Sequence, residues 1–284
     1  MTDRRFPVDD GWRIPLEPGQ AVDRGWTAAT GHRPLGVTWH WTATWTLRRC
    51  HELLGGADAE RRGQASAHYA VGRSFREGLA RYVGLEHRSW HAGRRQTLRI
   101  DGGPFRGADD KGARTAVGVE TVSIGYARPG VDPGEDWIAA DTVDGGERLR
   151  VQPWTEEQIE MMVWVGREIV DRWPGIGPRH HHGHHDLCPG YKVDVAGFPF
   201  ARVLRGVYDD PSIPDVWSDT WTAPGRRRIL RRLGFDPGGA LELGVWTRAD
   251  DLALRRAQSA LGLRPNGLFT TAVAWAVDDA VNGR

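Results

Sequence analysis

Residues 115–126, TAVGVETVSIGY, form the stretch of this chain that is most typical of a β-strand. β-Branched residues are frequent in it, as they are in strands that pack within a sheet. Residues 35–41, LGVTWHW, follow the same pattern between Pro34 and a threonine-rich turn. Residues 65–73 and 80–86 predict two further strands on either side of the turn SFREG. The first half of the chain therefore contributes several strands to a sheet.

Two helices are predicted among these strands. Residues 44–56 begin with a threonine cap and end at a glycine pair, and residues 155–173 place apolar side chains at helical spacing before a proline. Thr155 and Gln158 have the spacing of a capping box. Residues 127–150, rich in Gly, Asp and Pro, are predicted to form a long loop. Strands interleaved with helices predict an α/β fold with a mixed central β-sheet flanked by helices.

The C-terminal quarter of the chain has a different composition. A stretch rich in Pro, Asp, Ser and Trp predicts a linker at residues 209–224, and three short helical patterns follow it. We therefore expect an N-terminal arm at residues 1–33, a main domain at 34–208 and a small C-terminal three-helix domain at 225–284. A domain of about 60 residues is near the lower limit for a self-standing core.

The composition argues against several classes of function. The 284 residues carry a formal net charge of +1, so no global field favours nucleic acid or an acidic membrane surface. There is no run of 18 apolar residues, and the start lacks the apolar stretch of a secretion signal. We expect a monomer without nucleic-acid partner or membrane insertion, made in the cytoplasm without a signal peptide. Cys50 and Cys188 are expected to be free thiols.

A second unusual stretch is RHHHGHHDLCPGYKVD, residues 179–194. It holds five histidines and Lys192, one of only two lysines in the chain. Zinc catalysis needs three protein ligands with an open position, a carboxylate that takes a proton, and a cation that stabilises an oxyanion. Separate elements offer such groups, namely His40, Glu120, His184, Lys192 and Asp194. By default, the other histidines of the stretch are expected to be solvated or to bind metal adventitiously: His180, His181, His182 and His185.

Five motifs resemble, in order and spacing, the zinc-dependent N-acetylmuramoyl-L-alanine amidases of type 2: GVTWHWTAT, SAHYAVGRSF, SWHAG, VGVE and GHHDLCPGYKVD. The peptidoglycan recognition proteins and phage lysis amidases are relatives of this family. The resemblance covers residues 33–205, and its motifs are specific only as an ordered set. It implies the type 2 amidase fold, one Zn²⁺ per chain, and peptidoglycan of the bacterial cell wall as the partner.

The resemblance also implies roles for individual residues. His40, His184 and Asp194 correspond to the zinc ligands, Glu120 to the general base, and Lys192 to the lysine that stabilises the oxyanion. The implied reaction is hydrolysis of the amide bond between the lactyl group of N-acetylmuramic acid and L-alanine. His68, Trp90 and His91 match positions that line the site and contact substrate, and Thr42 shares a strand face with His40.

Two departures from the family pattern concern the neighbourhood of the lysine and of the third ligand. Tyr191 stands where an arginine is usual, and Val195 stands where a proline usually follows the aspartate. Some relatives use a cysteine ligand eight residues after the histidine, but here that position is Lys192, so Cys188 is not assigned to the metal.

The C-terminal patterns resemble, more weakly, the three-helix peptidoglycan-binding domains. A zinc amidase with such a tail and no signal sequence suggests a phage-type, bacteriolytic and antimicrobial endolysin that acts on the cell wall after its release. Three alternatives stay open at this point. They are a cytosolic amidase that recycles muropeptides, an injected antibacterial amidase toxin, and a recognition protein without catalysis.

Overall fold

The computed structural model describes residues 6–9, 26–27, 33–54, 65–92 and 115–283. Most of the predicted arm at 1–33 lies outside the described residues, as does the charged segment that follows the SWHAG motif. The strands are β1 (Val8–Asp9), β2 (Trp26–Thr27), β3 (Gly36–Trp41), β4 (Tyr69–Val71), β5 (Leu79–Arg81), β6 (Arg88–Ser89), β7 (Ala116–Thr121), β8 (Ile138–Asp141), β9 (Arg148–Val151) and β10 (His181–Gly183).

Seven α-helices lie in the described part of the chain. They are α1 (Leu47–Leu54), α2 (Glu156–Arg172), α3 (His184–Leu187), α4 (Phe200–Tyr208), α5 (Ala223–Arg232), α6 (Arg248–Ala260) and α7 (Thr271–Asn282). The predicted helices at 44–56 and 155–173 and the three C-terminal helices are thus confirmed. None of the described helices is long and apolar enough to cross a membrane.

The central sheet has the strand order β1-β5-β4-β7-β3-β10. β10, β3, β7 and β4 run parallel to one another, whereas β4 and β5 form an antiparallel pair. The sheet is therefore mixed, and the predicted α/β class is confirmed. Every residue of β3 and β7 is buried, because layers of structure cover both faces of a parallel sheet.

The predicted loop at 127–150 is wrong for its second half. β8 and β9 form an antiparallel hairpin, with Ile138 opposite Val151. The turn is closed by the backbone N–H of Thr142, which donates to the Glu147 carbonyl at 2.9 Å, and Gly145 adopts a positive φ of 70°. The two strands are short and lie among many turn residues, so the sequence pattern did not indicate them. The residues of β9, RLRV, alternate between exposed and buried positions.

The capping box predicted for α2 is half correct. The Thr155 hydroxyl accepts a hydrogen bond from the Gln158 backbone N–H at 3.1 Å, as an N-cap does. The Gln158 side chain does not return to Thr155 but donates to the Val122 carbonyl at 2.9 Å. Gln158 is fully buried, so its amide ties the start of α2 to the end of β7.

The C-terminal helices have an apolar core of their own, built from Ile229, Leu230, Ala253, Leu254, Ala257, Phe269, Val273 and Val277. They also pack directly on the main domain. Trp217 of the predicted linker stacks on Phe200 at 5.1 Å and meets Trp275 of α7 edge-on at 5.2 Å. The fully buried Arg226 donates to the Thr142 carbonyl at 2.9 Å. The stretch at 209–224 is therefore a packed connection rather than an extended tether.

Candidate active site

Strand register places His40 beside Glu120. The two residues are directly opposed on the parallel strands β3 and β7, and residues in register on neighbouring strands point to the same face of a sheet. His40 is 1% exposed and Glu120 is 8% exposed. Two residues 80 positions apart in the chain thus become neighbours at the carboxyl ends of two central strands.

His184 and Asp194 reach the same point from the other side of β3. β10 pairs with β3, and the chain turns into α3 immediately after it, so that His184 is the first residue of this short helix. The backbone N–H of His185 donates to the Asp194 carbonyl at 2.5 Å, which holds the two ligand-bearing segments together.

Three buried ligand atoms converge at this point. His40 Nδ1 lies 3.0 Å from His184 Nδ1 and 3.2 Å from Asp194 Oδ2, and His184 Nδ1 lies 3.0 Å from the same carboxylate oxygen. Ligand atoms about 2.0–2.1 Å from a tetrahedral zinc ion are about 3.3 Å from one another. Nitrogen and carboxylate donors at these separations fit a zinc ion, and the three residues form a group that could hold a metal.

Hydrogen bonds on the far side of each ring orient the two histidines. His184 Nε2 lies 3.2 Å from the Ala92 carbonyl, and His40 Nε2 lies 2.9 Å from His91 Nδ1. His91 Nε2 in turn lies 3.1 Å from the Ala116 carbonyl. Because a carbonyl only accepts, each Nε2 facing one carries the proton, and the chain of donors leaves both Nδ1 lone pairs for a metal.

The charges of the site follow from burial and mutual contact. Burial lowers the pKa of His40 to about 4, with the neighbouring His184 as a further cause, so this ring is neutral at pH 7. Burial also lowers the pKa of His91 well below its ordinary value. Burial alone would raise the pKa of Asp194, but its contacts with His184 and His40 outweigh this and lower it strongly. Neutral imidazoles and an ionised carboxylate are the states that bind metals.

Glu120 has a different environment. Its Oε2 is buried and has no hydrogen-bond partner among the described residues. Burial raises the pKa of Glu120 well above its ordinary value, the charge of Asp194 raises it further, and Lys192 opposes this rise. A carboxylate with an unpaired buried oxygen and a raised pKa is typical of a general acid or base.

A cleft of 310 Å³ collects eight of the nine residues that the sequence predicted for the site: His40, Thr42, Trp90, His91, Glu120, His184, Lys192 and Asp194. The sequence did not point to α1, although Leu53 and Leu54 of this helix line the cleft. Its position directly after the His40 strand was the available signal. Two aromatic side chains are about half exposed: Trp45, two residues before α1, at 54%, and Tyr191 at 55%.

The exception is His68, which does not line this cleft. Its ring is fully buried, with Nδ1 at 2.9 Å from Ser89 Oγ and accepting from the Gly118 backbone N–H at 3.0 Å. A ring enclosed in this way has no surface for substrate, and it connects β7 with the segment that carries Trp90.

The prediction that the other histidines of the stretch are solvated is wrong for His181, His182 and His185, which are at most 2% exposed. His181 Nδ1 accepts from Trp39 Nε1 at 3.2 Å, and His182 Nε2 lies 2.8 Å from Thr38 Oγ1. Each of these two is in register with a residue of β3, so pairing of β10 buries the tract. His180 is half-buried and accepts from the Gly177 N–H. Cys50 and Cys188, which were predicted to be thiols, form no disulfide with each other, and both are buried.

No curated protein sequence matches the chain. One similar structure is the amidase AmiD from E. coli, solved with anhydro-N-acetylmuramic acid-L-Ala-D-gamma-Glu-L-Lys. AmiD is 18% identical in sequence with a TM-score of 0.48, and the match covers 90% of this chain and 91% of the AmiD chain. AmpDh3 from Pseudomonas aeruginosa, solved with anhydromuramic pentapeptide, is 20% identical in sequence with a TM-score of 0.49. This match covers 90% of this chain and 94% of the AmpDh3 chain. The PlyG catalytic domain is 13% identical, with a TM-score of 0.41 and coverages of 74% and 98%.

A sequence model of one protein family gives the clearest assignment. The model described as N-acetylmuramoyl-L-alanine amidase matches residues 30–194, more than half of the chain. This range includes both histidines of the ligand group, Glu120, Lys192 and, as its last residue, Asp194. The chain therefore belongs to the N-acetylmuramoyl-L-alanine amidase family.

Proposed function

We propose that this peptidoglycan amidase binds one Zn²⁺ per chain through His40 Nδ1, His184 Nδ1 and Asp194 Oδ2. In this proposal it hydrolyses the bond between N-acetylmuramic acid and the L-alanine of the stem peptide. The observation that carries the proposal is the convergence of these three buried atoms in the cleft that also contains Glu120. Both histidines are already turned so that Nδ1 is available, so a metal would bind with little rearrangement.

The residues of the cleft divide the chemistry between them. When bound, a zinc ion polarises the scissile carbonyl and lowers the pKa of a water molecule towards about 7. Glu120 Oε2 takes the proton of the attacking water and passes it to the leaving amine nitrogen. A cation near Glu120 favours its ionised form, which offsets the effect of burial on its pKa. Lys192 Nζ donates to the carbonyl oxygen as that oxygen gains negative charge.

The remaining cleft residues suit a substrate with sugar and peptide parts. Trp90 offers an aromatic surface on which an apolar sugar face can pack, and Thr42 lines the same cleft. His91 lines the cleft, but both of its ring nitrogens have protein partners. We therefore propose that Trp90 and Thr42 contact substrate and that His91 positions His40.

We further propose that the enzyme is bacteriolytic, as an endolysin is, and that residues 225–284 bind the cell wall. The C-terminal residues support this because their helices have their own apolar core, and because Leu243, Val245 and Leu252 are between 46% and 66% exposed. A wall-binding unit would keep the cleft close to polymeric substrate.

The experiment is digestion of purified sacculi, followed by detection of new amino termini. Wild type should release L-alanine amino termini and bind one zinc per chain, whereas H184A should lose both zinc and activity. E120Q should keep zinc and lose about 100-fold or more in rate, the usual contribution of a general base. K192A should also be slow, because it lacks the cation for the oxyanion.

Glu86 provides the matched control, since it is exposed and lies outside the cleft, and E86Q should act like wild type. New reducing sugar ends in place of amino termini would contradict the amidase reaction. A preference for soluble muropeptides over sacculi would contradict the bacteriolytic role and favour recycling.

A further inference from the structure

Asp186 lies two residues after the proposed ligand His184, and its carboxylate is buried at 3% exposure. Oδ2 accepts a hydrogen bond from the Gly183 backbone N–H at 2.8 Å. The C-terminal helix α7 supplies two more donors, because the Thr271 N–H reaches Oδ1 at 2.9 Å and the Thr271 hydroxyl reaches Oδ2 at 2.7 Å. The carboxylate thus joins the turn before His184 to the first residue of a helix 85 positions further along the chain.

The contact is favourable both for the N-terminus of α7 and for the buried Asp186 carboxylate. The first N–H groups of a helix have no partner within the helix, and its N-terminus attracts negative charge. A buried carboxylate in turn needs several donors, and hydrogen bonds to charged groups are stronger than those between neutral groups. Without α7, the donor from Gly183 would remain while both donors of Thr271 would be lost.

A second contact attaches α7 to the other end of the same segment. Arg179, just before β10, makes a bidentate ion pair with Asp279, with nitrogen–oxygen distances of 2.5 and 2.6 Å. Its guanidinium also lies 4.9 Å from the centre of the Trp275 ring. Helix α7 therefore holds the segment that contains His184 both before β10 and after it.

We propose that Asp186 and Thr271 are positioning residues for the metal site, so that the C-terminal helix sets the affinity of the catalytic centre for zinc. This inference depends on the zinc site of the proposed function. His184 Nδ1 must face His40 Nδ1 and Asp194 Oδ2 at the same time, and the rotation of the α3 turn decides whether it does. The Asp186 carboxylate fixes that turn to the first residue of helix α7.

The test measures the dissociation constant for Zn²⁺ by competition with a chelator, using the full-length chain. T271V keeps the shape and the backbone N–H of Thr271 but removes its hydroxyl donor. We expect its dissociation constant to rise about tenfold, the lower end of the effect of one hydrogen bond to a charged group. T271S restores the donor and should bind zinc like wild type. T270V is the matched control, because the neighbouring Thr270 side chain makes no capping hydrogen bond.

D186N adds a second measurement to this series. It should raise the dissociation constant by about tenfold or more, as changes around metal ligands do. Because D186N and T271V remove the same interaction, the double variant should bind zinc about as well as D186N alone.

The proposal would be overturned if T271V and D186N bound zinc within about twofold of wild type, even if they melted at lower temperature, since the contact would then support the fold alone. Additive effects in the double variant would also contradict it. Failure of the wild-type chain to bind zinc at all would instead overturn the proposed zinc site, and this inference with it.

Discussion

At the scale of single residues, the site depends on which nitrogen of each histidine carries the proton. His40 and His184 both turn Nδ1 towards Asp194, because His91 and the Ala92 carbonyl occupy the Nε2 side. His91 can lie over β7 because residue 118 is glycine, where a Cβ atom would overlap the His91 ring. A glycine in a strand often marks such a close approach.

His181 leads to a prediction about pH. It is buried between Trp39 and Tyr208, and burial lowers its pKa from 6.5 to about 3. Between these values the unfolded chain holds a proton that the folded chain does not, so acid favours unfolding. We expect the zinc-free protein to lose about 2 kcal/mol of unfolding free energy through His181 between pH 7 and pH 5, at about 1.4 kcal/mol per pH unit.

The measurement is urea unfolding of zinc-free wild type and H181Q at both pH values. H181Q should lower the stability at pH 7 and reduce its dependence on pH. His180 is half-buried, so H180Q should change the pH dependence less. An unchanged pH dependence in H181Q would show that His181 does not remain neutral in the folded protein.

At the scale of elements, much of the architecture could be predicted from local pattern. The strands around residues 36–41 and 116–121 and the helix at 156–172 have strong periodicity and clear boundaries. The hairpin at 138–151 could not be found in this way, since its short strands lie among turn residues. The role of the Gln158 side chain also depended on a partner, Val122, that only the folded chain brings near.

The site shows the same division. His40, Glu120, His184, Lys192 and Asp194 could be located by motif and spacing, and the structure brings them into one cleft. The contacts of His91, His68 and the histidine tract could not be predicted, because they join residues that are 19 to 144 positions apart in the sequence. A buried histidine looks the same as a solvated one in the sequence.

The packing of α2 on α4 gives a prediction at this scale. Gly166 of α2 lies against Val207 of α4, and Gly206 of α4 lies against Val163 of α2, so each helix offers a glycine to a valine of the other. In G166A, the new methyl group overlaps Val207. We expect a loss of about 1–3 kcal/mol of unfolding free energy from overpacking, although alanine favours a helix over glycine by about 1 kcal/mol.

Urea unfolding of the zinc-free protein would measure this effect. V207A provides the control, since it makes room for the added methyl group. The double variant G166A/V207A should therefore lose less than the sum of the two single changes. A G166A protein that is more stable than wild type would mean that the helices move apart without cost.

At the scale of the whole molecule, the main domain and the C-terminal helices share a boundary of aromatic and charged side chains. Trp217 and Trp275 belong to the large apolar core of the main domain, and Arg226 reaches the carbonyls of the β8–β9 hairpin. The predicted linker is part of this boundary. We infer that the two parts melt together.

Ending the chain after Asp209 tests this inference. Such a chain lacks Trp217 and Trp275, and each large aromatic side chain lost from a core costs about 3–5 kcal/mol. We expect the melting temperature of the zinc-free protein to fall by about 10 °C or more. A chain that ends after Asn282 is the control and should melt like wild type. An unchanged melting temperature after the larger truncation would show that the two parts are independent.

The hydrogen bonds between Asp186 and Thr271 also bear on how the protein is made. Ribosomes release a chain from its N-terminus at about 5–20 residues per second. His40 contacts His184 and Asp194, which are 144 and 154 positions later in the chain. Asp186 contacts Thr271, a further 85 positions along. Contacts between such distant positions form slowly, because the loop between them must close first. The contacts around Asp186 are therefore completed only after residue 271 has been made, and a chain that stops before it lacks either residues of the His40, His184 and Asp194 group or the contact of Asp186 with Thr271.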